Sequence, residues 1–209
     1  MSIGKRAIPA LRAMIIEREP SGLYEVRRRA VEALQRLGAI DDLVDCLRTL
    51  LSREALDPVE QTGDDAVVNA LARALSGCES ERVQSLLLDL ASHRHLAGVI
   101  EALGAFHCRE ALPNFIEALA DDFTRPAAEA AIRKIGGAAR PFLIHTVKRL
   151  VPSGEREYPS RTRQRLSALA LLAEFANPRS FRAILKALMN DASPAVAALA
   201  REIASRLIG

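Results

Sequence analysis

The feature that most restricts this chain is an apolar pattern that returns five times at helical spacing. Leu43/Cys46/Leu47/Leu50, Val83/Leu86/Leu87/Leu90, Leu112/Phe115/Ile116/Leu119, Leu143/Ile144/Val147 and Phe181/Ile184/Leu185/Leu188 share an i, i+3, i+4, i+7 register, the fourth lacking its first member. That register puts each set on one stripe of an α-helix. A second amphipathic segment precedes each stripe and closes on Leu37, Leu75, Phe106, Ile135 or Phe175, which lie 38, 31, 29 and 40 residues apart. The clearest copy is Ala97 to Asp122, two amphipathic helices joined by His107-Cys108-Arg109. Such a hairpin cannot bury its apolar face alone, so neighbouring copies have to cover it. The pattern predicts an all-α chain wound as an α-α superhelix.

Taken in order, the chain divides into a capping helix at 3–19, helix pairs at about 23–52, 64–92, 95–121, 125–150 and 160–190, and a second capping helix at 194–208. In the first cap Ile8, Leu11, Ile15 and Ile16 are expected to face inward; in the last, Val196, Leu199, Ile203 and Leu207. The two wide spacings call for insertions, and turn-rich candidates stand at Asp57–Asp65 and Val151–Ser160. Gly136-Gly137 suits a helix end in the left-handed conformation. No stretch alternates with a period of two, so no strand is expected. The whole of 1–209 is read as one domain of stacked pairs.

The runs EALGAFHCREALPNFIEALAD and LLAEFANPRSFRAILKALMNDASPAVAALA resemble HEAT-like repeats of the phycobilisome-lyase type, within the armadillo-like superfamily. In that family Ala-Leu-Gly precedes a short turn, an apolar second helix follows, and Asp with Pro-Xaa-Val opens the next unit. Ala102, Leu103, Gly104, Ala111, Leu112, Ile116, Leu119 and Asp121 match in the third copy, and Leu172, Asn177, Pro178, Leu185, Leu188, Asp191, Pro194 and Val196 in the fifth. The matched residues build a scaffold and carry no chemistry. The resemblance implies a binding solenoid whose second (B) helices line a concave face.

Composition narrows the compartment and the chemistry. With 209 residues, 49% of them hydrophobic, the chain can bury a substantial core, and with 4% aromatics and no Trp that core must come from Leu, Ala, Ile and Val. Three widely spaced cysteines, Cys46, Cys78 and Cys108, suit a reducing compartment better than a disulfide framework. The basic start MSIGKRAIPALRAMIIERE is interrupted by Arg12 and reads as an amphipathic helix rather than a signal peptide. No apolar run reaches the roughly 18 residues that would cross a bilayer. A cytoplasmic protein without membrane contact is expected.

Charge is uneven along the chain. Met1–Asp122 holds 14 Lys/Arg against 20 Asp/Glu, a net of −6, whereas Phe123–Gly209 holds 15 against 6, a net of +9. An acidic-to-basic gradient of this size is a lever for partner recognition. The candidate binding face therefore comprises Arg140, His145, Lys148, Arg149, Arg179, Arg182 and Lys186, on the B helices of the fourth and fifth pairs. Cations there would pair with carboxylates or phosphates of a partner. A secondary basic loop, Arg156, Arg161, Arg163 and Arg165 with Tyr158 among them, suits phosphate or single-stranded nucleic acid, although Glu155 and Glu157 dilute it towards a solvated loop. Arg27-Arg28-Arg29, flanked by Glu25 and Glu32, reads as an outer, salt-bridged surface.

Signatures of catalysis are missing. The sequence has no GxSxG, no HExxH and no Gly-rich phosphate loop. Nor has it the His-Glu dipeptide of deoxyhypusine hydroxylases or the tryptophans of HEAT-type alkylpurine glycosylases. His93, His95, His107 and Cys108 lack the acidic residues that would complete a metal set. The expected function is a non-catalytic protein-binding scaffold or adaptor without metal or cofactor, whose partner presents an acidic surface. The alternatives are a nucleic-acid or phosphate-binding module acting through the basic half, and a phycobilin-lyase-like or chaperone subunit.

Overall fold

The computed structural model describes residues 3–18, 24–53, 57–78, 80–149, 157–175 and 177–207, without the side chains of 3, 4 and 178–180. Every regular element among them is helical. The protein is all-α, and it resolves into two compact units, Met1–Phe106 and His107–Gly209. The division falls inside the hairpin Ala97–Asp122, whose first helix belongs to one unit and whose second belongs to the other.

The first unit contains α1 (Ile3–Ile16), α2 (Glu25–Arg36), α3 (Ile40–Leu51), α4 (Pro58–Leu75), α5 (Glu81–His93) and α6 (Ala97–Ala105). Helices α2, α4 and α6 pack in succession, and α1 lies against α2 and α3. The stripe Leu43, Cys46, Leu47 and Leu50 of α3 is buried, as are Val83, Leu87 and Leu90 of α5. Leu37 departs from expectation. It is 41% exposed at the end of α2, and Leu34, one turn earlier, is the residue that fills the core.

The expected insertion Asp57–Asp65 is helix. Asp57 caps α4, its side chain accepting hydrogen bonds from the backbone N–H of Val59 and Glu60 at 2.7 and 2.8 Å. Pro58 occupies the first position, where its missing N–H costs nothing. The residues that resembled a turn are a helix-start signal, and they lengthen α4 to 18 residues.

Arg27 also departs from the outer-surface reading. Arg28 and Arg29 do pair with Glu25 on the surface. Arg27 instead is 3% exposed, its Nε donating to the Ile15 carbonyl at 2.8 Å and its Nη2 to Asp64 Oδ1 at 2.7 Å. Arg18 donates to the other oxygen of Asp64 and to Glu60. A buried guanidinium is tolerated only when its donors are met in this way.

The second unit contains α7 (Leu112–Ala118), α8 (Arg125–Ile135), α9 (Arg140–Val147), α10 (Pro159–Phe175), α11 (Pro178–Leu188) and α12 (Pro194–Arg206), with short 3-10 turns at Arg109–Ala111 and Gly136–Ala139. Each of these α-helices has a proline in its first two positions, a start that fixes φ where no helical N–H is needed. Gly136 ends α8 with φ +70° and ψ −139°, a positive-φ backbone that favours glycine but is not the left-handed helical conformation expected of it. Helices α8, α10 and α12 pack in succession, and α7 packs against α9. The stripes Leu112/Phe115/Ile116/Leu119, Leu143/Val147 and Phe181/Leu185/Leu188 are all buried. Of the second expected insertion, 151–156 lies outside the described residues; Pro159 and Ser160 already belong to α10.

Candidate functional site

A cleft of the second unit opens between α7 and α9, with α10 at one side, and has a volume of about 450 Å³. Pro113 and Ile116 of α7 and Pro141 and Phe142 of α9 give it an apolar lining; Glu117, His145, Thr146, Arg149 and Gln164 add polar groups. The proximity of α7 and α9 follows from their buried stripes, which turn the opposite faces of both helices outward. Gln164 Nε2 donates to the Ile116 carbonyl at 2.7 Å and ties α10 to the cleft edge. Thr146 Oγ1 donates to the Phe142 carbonyl at 2.9 Å, which commits its hydroxyl hydrogen within α9. A mostly apolar concavity with a few polar groups is the usual form of a recognition site.

A smaller cleft of about 210 Å³ lies between α11 and α12, lined by Arg182, Leu185, Lys186, Met189, Ala204 and Leu207. The two clefts sort the candidate binding residues. His145 and Arg149 line the first, Arg182 and Lys186 the second. Arg140 and Lys148 are exposed on or beside α9 and line neither cleft. The side chain of Arg179 lies outside the described residues.

Among the described residues of the secondary basic loop, Arg163 and Arg165 are engaged separately. Arg156 lies outside the described residues. Arg161 is half-buried, and Arg163 donates from Nε to the Ala120 carbonyl at 3.3 Å and pairs with Asp122 at 3.5 Å. Arg165 is 1% exposed. It donates to the Val147 carbonyl, to Glu157 at 3.1 Å and to Asp191 at 3.0 Å, so it is a buried brace between α9, α10 and the segment before α12. Burial works against its charge, but the Asp191 and Glu157 carboxylates overcome that and raise its pKa. A guanidinium with all its donors engaged inside the protein has nothing left for a phosphate.

The same accounting identifies where positive charge is uncompensated. Residues 107–209 carry 16 Lys/Arg against 10 Asp/Glu. Each described carboxylate of this unit is engaged. Asp122 pairs with Arg125, Glu129 and Glu174 with Arg133, Glu157 and Asp191 with Arg165, and Glu202 with Arg206. Asp121 accepts from the Phe123 N–H, Glu110 lies 3.5 Å from Cys108 Sγ, and Glu117 also has a partner. Among the described residues Arg140, Lys148, Arg149, Arg182 and Lys186 of the candidate face are in no ion pair, and neither are Arg109, Lys134, Arg161 and Arg201, so the uncompensated positive charge includes the candidate face but is spread over the unit.

The apolar lining escaped the sequence reading, which sought charges. Phe142, 39% exposed, had a visible signal: an aromatic on the polar side of its own helical stripe. Among the described residues no group of three or more His, Cys, Asp or Glu could hold a metal ion, and no helix is long and apolar enough to cross a membrane. No protein-family model, curated protein or solved structure matches the chain.

Proposed function

We propose that this chain is a non-catalytic protein-binding module of HEAT-like helix pairs that takes an acidic segment of a partner into the α7/α9 cleft. The observation that carries this reading is the pairing of an apolar lining, Pro113, Ile116, Pro141 and Phe142, with an Arg149 that has no ion pair among the described residues. The lining takes an apolar anchor of the partner, and Arg149 takes a neighbouring carboxylate through a charge-assisted hydrogen bond. His145 stands on α9, four residues before Arg149, which lies just past the end of that helix, and adds a donor. The successive packing of α2, α4 and α6, and of α8, α10 and α12, supports the repeat reading.

The test is affinity capture from host lysate with and without nuclease, using the wild-type chain, Arg149→Glu and Phe142→Ser. A defined protein that survives nuclease and is lost from both variants supports the reading. Partners that vanish with nuclease would replace it with phosphate-backbone binding, which weakens steeply with salt.

A further inference from the structure

The turn between α7 and α8 presents a bare aromatic ring. Phe123 is 91% exposed, more than any other large apolar side chain among the described residues. The backbone beneath it is firmly held. Asp121 Oδ1 accepts from the Phe123 N–H at 2.6 Å and from the Thr124 N–H at 3.4 Å. Thr124, itself buried, donates its hydroxyl to the Ala118 carbonyl at 2.9 Å. Beside the ring, Asp122 is tied through Oδ1 to Arg125 at 2.6 Å and to Arg163 at 3.5 Å, yet its side chain stays 58% exposed. The result is a held turn of backbone that presents an exposed phenyl ring with a carboxylate next to it.

Aromatic side chains are prominent among interface anchors, and a backbone already held in place lowers the ordering cost of presenting one. The α7/α9 cleft has the complementary chemistry. Its lining of Pro113, Ile116, Pro141 and Phe142 suits a phenyl ring, its volume of about 450 Å³ leaves room around one, and Arg149, which is in no ion pair among the described residues, lines it together with Glu117. Phe142 supplies an aromatic partner for an offset or edge-on contact.

From this match of shape and charge, and resting on the reading of the cleft as a binding site for acidic segments, we infer that the cleft receives the Asp122-Phe123 turn of a second copy of this chain. Phe123 enters the apolar lining and the free oxygen of Asp122 meets Arg149. Each copy carries both the turn and the cleft, so the contact can be reciprocal and close a two-fold dimer, or run head to tail.

Sedimentation velocity over a wide concentration range tests this with the full chain, Phe123→Ala and Arg149→Glu. Both residues are exposed, so circular dichroism should show unchanged folding. The wild type is expected to self-associate, and each variant to weaken association more than roughly tenfold. Mixing the two variants should restore association, because one retains its cleft and the other its Phe123. A wild type that stays monomeric throughout, or association untouched by either change, would overturn the inference. If a monomeric wild type still captures an acidic partner through Arg149, only the docking of a second copy falls and the cleft reading stands.

Discussion

Gly98 and Asn69 are pressed together where α6 crosses α4. A Cβ built on Gly98 would stand 2.3 Å from the Asn69 carbonyl oxygen and 2.8 Å from its Cα. The Gly98 N–H donates to Asn69 Oδ1 at 2.5 Å, and Asn69 Nδ2 donates to the Asp65 carbonyl at 2.9 Å. The contact is with backbone, which cannot swing aside as a side-chain end would.

Gly98→Ala is therefore expected to destabilise the first unit by about 1–3 kcal/mol through overpacking, although Ala in an open helix gains about 1 kcal/mol over Gly. Asn69→Ala, which removes two hydrogen bonds and takes the acceptor from the Gly98 N–H, should cost about 1–3 kcal/mol. Urea unfolding of the two variants decides the matter. A Gly98→Ala protein as stable as the wild type would mean that the helices are not this close.

Asp64 sets an acid limit on the same unit. It is 5% exposed, and burial alone would push its carboxyl up. The hydrogen bonds from Arg18 and Arg27 outweigh burial and hold it below the ordinary Asp value. A carboxylate with a depressed folded-state pKa contributes stability that is complete above its unfolded-state pKa, near 4, and is lost as pH falls through the folded value. Stability should thus fall from about pH 4 downward. Asp64→Asn should cost about 3–5 kcal/mol at pH 7, because it leaves the buried Arg27 uncompensated, and should flatten the acid limb. Thermal unfolding at pH 7 and pH 3 tests both parts; an unchanged acid limb in the variant would assign the pH dependence elsewhere.

What the sequence made legible is what short-range periodicity encodes. The stripe Leu112, Phe115, Ile116 and Leu119 is buried as its spacing requires, because a helical face repeats within four residues. Arg27 and Arg165 were misplaced for the opposite reason. Locally each stands in a run of charge, while the carboxylates that draw them inward, Asp64 and Asp191, lie 37 and 26 residues away. Asp57–Asp65 misled because Asp-Pro favours a turn and a helix start alike, and the choice depends on whether an apolar face follows. At the cleft, His145 and Arg149 were legible from their place on or just after a B helix, whereas the pocket beside them depends on how far apart α7 and α9 pack.

The cysteines carry the last prediction. Cys46 is 0% exposed, and burial pushes its pKa up to about 11. Cys108 is 1% exposed. Cys78 is half-buried, with burial and the nearby Asp41 raising its pKa. The thiolate is the nucleophile, and at pH 8 a thiol with pKa 11 is ionised roughly one part in a thousand, so Cys46 is doubly protected. In the native protein Cys78 should be the first thiol alkylated by iodoacetamide, with Cys46 and Cys108 reacting only as fast as the chain opens. Mass spectrometry of timed samples reads this, and Cys78→Ser should remove the fast phase. Rapid modification of Cys46 before Cys78 would mean that α3 does not bury its stripe as described.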